Sequence, residues 1–396
     1  MTYRLYVSDS SYYSGKLEAY LRYKDIPHER IEINIDVMRE QILPATGFMK
    51  VPVMQCPDGR WLKDTTPMLQ WLDRQHPQYP VYPEDPATRF LALLVEDYAD
   101  EWLWRPAMYY RWRFADSHRL RRARLGHELA RGTIHSSWLM GWYFRWRQSL
   151  VFVRGDGVRA HNEAQVQALY LRTLQRLTRL LEARPFLLGA RPSLVDFAFF
   201  ASMFRHFALD PYPAKIMVDT APAVWAWVAR LWNARGPRYA SRGLEDFSSS
   251  DWDGLFDDIG AEYLPYLDRN AQAYAAGLRR FDLRLPRHPR ESGDPETLYP
   301  RMPVVRYRVA CRSQLLKAFR ALPPAERERV QQRLAASGAA QWLASAQDVA
   351  AGLDAEFELP LAQHYPAARG LYGLKMYQGT PWDLPAEPVR EPDTKR

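Results

Sequence analysis

Over the first eighty residues the apolar positions change period several times. YRLYV (3–7) is a short apolar run of strand length, and HERIEINI (28–35) alternates apolar and polar residues as a half-buried strand does. Between them, residues 14–24 place Leu17, Tyr20 and Leu21 on one side of a helix. A short helical stretch near 37–43 leads to VPVMQC (51–56) and RWLK (60–63), separated by Pro57-Asp58-Gly59. An Asp-Gly turn between two such runs predicts a hairpin. TPMLQWLDRQ (66–75) reads as a helix and HPQYPVYPEDP (76–86) as a Pro-rich linker. The order β-α-β-α-β-β-α predicts an α/β domain over 1–80.

From 87 to about 234 the spacing is helical throughout, with many aromatic positions. After a looser stretch, residues 248–277 predict a long helix capped by Ser250 or Asp251 and kinked at Pro265. Residues 285–303 carry few apolar positions and several prolines, which predicts a loop. Residues 306–322 and 324–338 predict a helix pair, and PWDLPAEPVREPDTKR a flexible tail. Three regions follow: 1–80, an all-helical 87–245, and a mostly helical extension over 246–396.

Composition narrows the class. Hydrophobic residues at 47% and charged residues at 25% are those of a soluble globular chain. The net charge of +8 is mild for 396 residues, so it favours anionic ligands without requiring nucleic acid. With only Cys56 and Cys311, a disulfide framework is excluded and a reducing cytoplasm fits. The start MTYRLYVSDS lacks the features of a signal peptide, and LVDFAFFASMF falls short of the roughly 20 apolar residues that span a bilayer. His127-Glu128 lacks a second histidine, and no metal-ligand or phosphate-loop spacing appears.

Two local patterns carry candidate chemistry. Ser11-Tyr12-Tyr13-Ser14 has the spacing of a redox C-x-x-C turn with hydroxyls in place of thiols. Either serine could equally be an ordinary helix cap. Val51-Pro52 opens an apolar run although proline is excluded from central strands. A cis bond there would present the Val51 backbone to a peptide-like ligand, and a trans proline on an edge strand is the plainer alternative.

S-Y-Y-S-G-K-L, then K-V-P-V, then L-K-D-T-T-P-M-L together resemble the N-terminal domain of the glutathione S-transferase family. FLLGARPSLVDFAFFASMF (186–204) resembles that family's capping segment in its C-terminal helical domain, with Ser193 and Asp196 in the capping box. The wording D-T-T-P resembles a bacterial branch of long, C-terminally extended members. The resemblance implies a thioredoxin-like first domain, an all-α second domain and glutathione as cosubstrate without a metal. It implies Val51 and Pro52 against the cysteinyl backbone, and Asp64 with Thr65 at the γ-glutamyl end. Asp64 or Thr65 is also expected to cap the helix 66–75. Ser11 matches the catalytic hydroxyl position, with Tyr12 and Tyr13 as secondary candidates.

Serine cannot form a mixed disulfide, so activation of a bound thiol is favoured over disulfide exchange. Trp104, Tyr109, Tyr110 and Arg111 are candidates to line a pocket for a small hydrophobic electrophile. Arg119, Arg121, Arg122 and Arg124 read as a solvated helix face, and Cys311 as a buried structural thiol. The resemblance therefore implies a homodimeric glutathione transferase, and the composition adds a cytoplasmic protein with neither nucleic-acid nor membrane partners. A non-catalytic binding protein on the same fold is the alternative from another class. A glutathione-dependent lyase, dehalogenase or isomerase is the alternative within enzymes.

Overall fold

The computed structural model describes residues 2–286, 296–353 and 359–360 of the chain. Its N-terminal part is a four-stranded sheet in the order β2-β1-β3-β4, formed by β1 (Tyr3–Val7), β2 (His28–Glu32), β3 (Val53–Gln55) and β4 (Trp61–Lys63). β1 runs parallel to β2 and antiparallel to β3, and β4 is antiparallel to β3. Period-2 alternation decides which side each residue faces. Leu5, Met54 and Leu62 are paired across the sheet and buried against α1 (Tyr12–Tyr23) and the helix Thr65–Gln75. Tyr6, Val53 and Trp61 point the other way, towards the helical run over 35–46 (α2) and the second domain. This is a thioredoxin-like arrangement, with Thr65–Gln75 as α3.

The second domain is all-helical. It contains α4 (Pro86–Glu101), α5 (Trp104–Arg113), α6 (Ala115–Ala130), α7 (Ser137–Gln148), α8 (Glu163–Ala183), a run over 194–208 (α9), α10 (Pro211–Thr220) and α11 (Pro222–Trp232). α9 begins with the expected capping box at Ser193 and Asp196. The Asp196 carboxylate is buried and accepts from the Ser193 N–H and Oγ at 2.9 and 2.8 Å. It also accepts from the Leu187 N–H at 2.8 Å and the Trp227 indole at 3.0 Å. Here a cap also fastens a loop and a distant helix. α9 lies against α1, where Phe197 meets Tyr20 and Tyr23 edge-on or tilted.

The extension opens with a turn over Ser250–Trp252 and a helical run over 253–275 (α12). Its cap is Ser249, which accepts from the Asp251 N–H, rather than Ser250 or Asp251. A π-type turn at Ile259–Tyr263 precedes Pro265, and such a turn relieves the carbonyl clash that a proline brings to a helix.

Within the loop expected over 285–303, the described residues 285–286 and 296–303 are instead strand, part of an antiparallel hairpin of β5 (Arg280–Pro286) with β6 (Glu296–Pro303). Phe281, Leu283 and Leu285 alternate with exposed residues along β5, and a two-stranded ribbon leaves its prolines free of ladder duties. α13 (Arg306–Arg320), α14 (Pro324–Leu334) and α15 (Ala339–Ser345) follow. The expected tail lies outside the described residues. Among those described, no helix is long and apolar enough to cross a membrane.

Asp196→Ala strands four buried donors at once. The expected cost is on the order of 3 kcal/mol in urea unfolding, since each orphaned donor loses its desolvation compensation.

Candidate functional site

Ser11 stands just before α1, and its Oγ accepts from the Ser14 N–H at 3.3 Å. It is therefore a helix cap. The same hydroxyl donates to the Val51 carbonyl at 3.2 Å, joining two of the sequence candidates. The Val51–Pro52 bond is cis, and the ladder begins after it at the pair Val53–Lys63. Continuing that antiparallel register brings Val51 and Thr65 to the same end of neighbouring strands, which run about 4.8 Å apart where they pair. Ser11, Val51, Pro52, Asp64 and Thr65 thus share one edge of the sheet. Ser11 and Val51 are half-buried, while Pro52 and Thr65 are buried.

Asp64 departs from its expected role as a cap. It occupies the position before α3 but makes no capping bond. Its backbone has φ 67°, a region unfavourable to a side chain with Cβ. Its carboxylate instead receives the hydroxyl of Tyr307, from α13 of the extension. Burial pushes Asp64 up to about 6; the Tyr307 bond opposes this, Glu101 reinforces it, and Lys16 and Lys50 favour the charged form. The extension therefore reaches the first domain at the candidate site itself.

A buried charge network surrounds this contact. Lys16 of α1 is fully buried and bridges Glu96 at 2.7 Å and Asp100 at 2.5 Å on α4. Burial works against its charge, but the two carboxylates outweigh that and hold it protonated. Thr66 also donates to Glu96, at 3.2 Å. Asp97 accepts from Tyr263 of α12 at 2.5 Å, and burial raises it to about 7 despite that bond. Glu101 pairs with Arg308 of α13 at 2.8 Å.

The aromatic candidates divide. Tyr12 is buried and donates to the Ala99 carbonyl at 2.7 Å, and half-buried Tyr13 donates to the Asp100 carbonyl at 2.9 Å. Trp104 is half-buried, stacks on Tyr13 with centroids 6.2 Å apart and meets Phe152 edge-on. Tyr109, Tyr110 and Arg111 are instead in the packing. The Tyr109 hydroxyl donates to Glu163, Tyr110 stacks on Phe114, and Arg111 grips buried Asp210 at 2.8 Å and the Ser10 carbonyl at 2.7 Å. Arg121, expected on a solvated face, is buried too and shares Asp210. The reason is electrostatic: an aspartate with no exposed surface requires cations beside it. His206 is buried between Tyr12 and Trp104, and burial holds it neutral.

Residues 5–80 match the model of the glutathione S-transferase N-terminal domain, and residues 156–230 that of its C-terminal domain. These two stretches are the N- and C-terminal domains of the glutathione S-transferase family. Among solved structures the chain is similar to a glutathione S-transferase from Rhodospirillum rubrum F11, at 16% identity and TM-score 0.40, covering 60% of this chain and 91% of that one. It is also similar to the beta-etherase LigF from Sphingobium sp. strain SYK-6, at 15% identity and TM-score 0.42, covering 65% and 100%. A third is a glutathione S-transferase from Methylobacterium radiotolerans in complex with glutathione sulfonate, at 21% identity and TM-score 0.36, covering 63% and 99%. No curated protein matches the chain at the sequence level.

Sequence reasoning about this chain with glutathione S-transferase domains missed Tyr307, Arg308, Lys16 and the acids of α4. One signal was available: VEDYADE (95–101) packs four carboxylates into an otherwise apolar helix. A helix with that pattern must find cations or donors wherever it is buried. Nothing local marks Tyr307.

The Asp64 contact gives a direct prediction. Its carboxyl should titrate near 6 by carbon-13 NMR. Tyr307→Phe removes a donor to the charged form and should move that midpoint higher. An unchanged midpoint would show that the two groups do not interact in solution.

Proposed function

We propose that the protein binds glutathione along the Ser11–Val51–Thr65 edge and activates its thiol for attack on a small electrophile, as a homodimer in the cytoplasm. The observation that carries this reading is the Ser11 hydroxyl, which sits at the start of α1 and within 3.2 Å of the Val51 carbonyl. In this reading the Val51 main chain pairs with the cysteinyl unit, which brings the cosubstrate sulfur to Ser11. The γ-glutamyl carboxylate meets Thr65 and the N–H groups opening α3, where the helix dipole favours an anion. Its ammonium group meets Asp64, and Trp104 with Phe152 offers an apolar wall to the electrophile.

Thiol activation follows from where the donors point. A free thiol with a pKa near 8.5 is only about 3% ionised at neutral pH. The Ser11 proton now rests on a carbonyl at 3.2 Å, a long bond that a thiolate, being charged, would outcompete. The thiol proton leaves to water, and the thiolate is held by the hydroxyl and the α1 terminus. Tyr12 and Tyr13 already donate to backbone carbonyls at 2.7 and 2.9 Å, which supports Ser11 over either phenol.

One observation favours the second reading, binding without turnover: Tyr307 already holds the Asp64 carboxylate that the ligand's ammonium would use. Product analysis with model electrophiles separates the two. Thioether product supports the first, and saturable glutathione binding without product supports the second.

The thiolate absorbance of bound glutathione tests the catalytic assignment. Ser11→Ala should lower the bound thiolate fraction several-fold at neutral pH, as loss of a charge-assisted hydrogen bond worth about 1.5–3 kcal/mol would do. Tyr12→Phe and Tyr13→Phe should leave it nearly unchanged. An equal loss in a tyrosine variant would move the role to that phenol.

A further inference from the structure

Where the body of the protein meets the extension's hairpin there is an open recess of about 560 Å³, lined by Leu150, Val151, Arg154, Gly155, Arg159, Arg280 and Arg301. Four of these seven residues are arginines and none is acidic. Among the described residues, none of the four arginines makes an ion pair. The two nearest carboxylates in sequence are engaged elsewhere. Asp156, between Arg154 and Arg159, is buried and turned inward to Arg105 at 3.0 Å and Arg308 at 3.8 Å. Asp282, on β5, accepts the Arg301 backbone N–H at 2.7 Å.

The walls are held in place. Asn162 donates to the Gly157 carbonyl at 3.0 Å and to the Leu298 carbonyl of β6 at 2.8 Å, clamping the turn to the hairpin. Gly157, at φ +80°, lies so close that a Cβ would come within 3.0 Å of Met302 and 3.1 Å of Tyr299. Beneath, Arg105 lies over the Tyr299 ring at 4.8 Å. Arg159 is steadied by its own bonds to the Arg154 and Val158 carbonyls. Arg301 sits beside a register shift in the ribbon with φ 50°, a conformation that costs a residue bearing Cβ. Arg280 and Arg301 stand at the end of the hairpin away from Pro286 and Glu296, six residues along β5 or about 20 Å at strand rise.

Gathering like charges costs free energy. Burial, then Arg154, Arg280 and Arg301, pull Arg159 below the ordinary arginine value. Guanidinium groups converging on one hollow match the geometry of phosphate oxygens, which they bind in bidentate fashion. The volume lies within the range of small-ligand sites and exceeds what a lone orthophosphate fills.

We propose that this recess is a binding site for a phosphorylated ligand carrying at least two negative charges, held by Arg154, Arg159, Arg280 and Arg301. It is separate from the Ser11 edge and does not rest on the glutathione reading. The phosphate could belong to a soluble metabolite or to a lipid headgroup. The second source has a structural basis, because the exposed side chains of Trp138, Trp142, Trp146 and Leu150 follow one another at helical spacing up to the rim.

Calorimetric titration of the full chain with inorganic pyrophosphate tests the site. Saturable binding is expected, weakened about tenfold by Arg154→Gln or Arg301→Gln and further by the pair, with unchanged thermal melting. Neither guanidinium has a hydrogen-bond partner among the described residues, so the substitutions remove charge without removing a structural bond.

Co-sedimentation with phosphatidylcholine vesicles, with and without cardiolipin, whose headgroup carries two phosphates, separates the sources. Binding to the anionic vesicles that pyrophosphate displaces and the double variant loses identifies a headgroup. Pyrophosphate binding without vesicle binding identifies a soluble ligand. Equal pyrophosphate affinity in wild type and double variant, or binding to neither probe, would overturn the proposal.

Discussion

Four carboxylates in six residues of α4, Glu96, Asp97, Asp100 and Glu101, are the constraint around which this molecule is assembled. A carboxylate removed from water must be paired, hydrogen-bonded or protonated, because leaving it bare costs several kcal/mol. The partners that Glu96, Asp97, Asp100 and Glu101 find come from outside α4. Lys16 arrives from the thioredoxin-like domain, Tyr263 and Arg308 from the extension. Satisfying one helix therefore docks three regions that the sequence presents as separate.

That docking sets the environment of the candidate site. Lys16 lies one turn beyond Tyr12 and Tyr13, so its bridge to α4 fixes the start of α1, where Ser11 presents its hydroxyl to Val51. On the other side Arg308 anchors α13, and its neighbour on that helix, Tyr307, reaches Asp64. The extension is thereby part of the site's wall, and the acidity of Asp64 depends on a residue from the far end of the described chain.

What the sequence made legible was whatever repeats locally. Apolar runs at 3–7 and 51–56 and the alternation over 28–35 marked strands, and Asp58-Gly59 marked the turn between β3 and β4. Ser193 and Asp196 declared the start of α9 within four residues. The β5–β6 ribbon was obscured because its prolines resemble those of a loop, while the alternation of Phe281, Leu283 and Leu285 began just before the stretch that drew attention. Tyr109, Tyr110 and Arg111 followed a helical spacing that serves packing as well as pockets. Arg111 and Arg121 converge on Asp210, and Tyr307 on Asp64, through contacts between residues distant in the chain, for which periodicity carries no signal.

The central claim is that the Ser11–Val51–Thr65 edge and α13 behave as one unit towards glutathione. Hydrogen exchange by mass spectrometry, with and without glutathione, addresses it most directly. The account predicts slower exchange in the peptides covering 48–70 and, together with them, in the peptide covering Arg306–Arg320. Saturating glutathione that leaves Arg306–Arg320 exchanging at its original rate would contradict it.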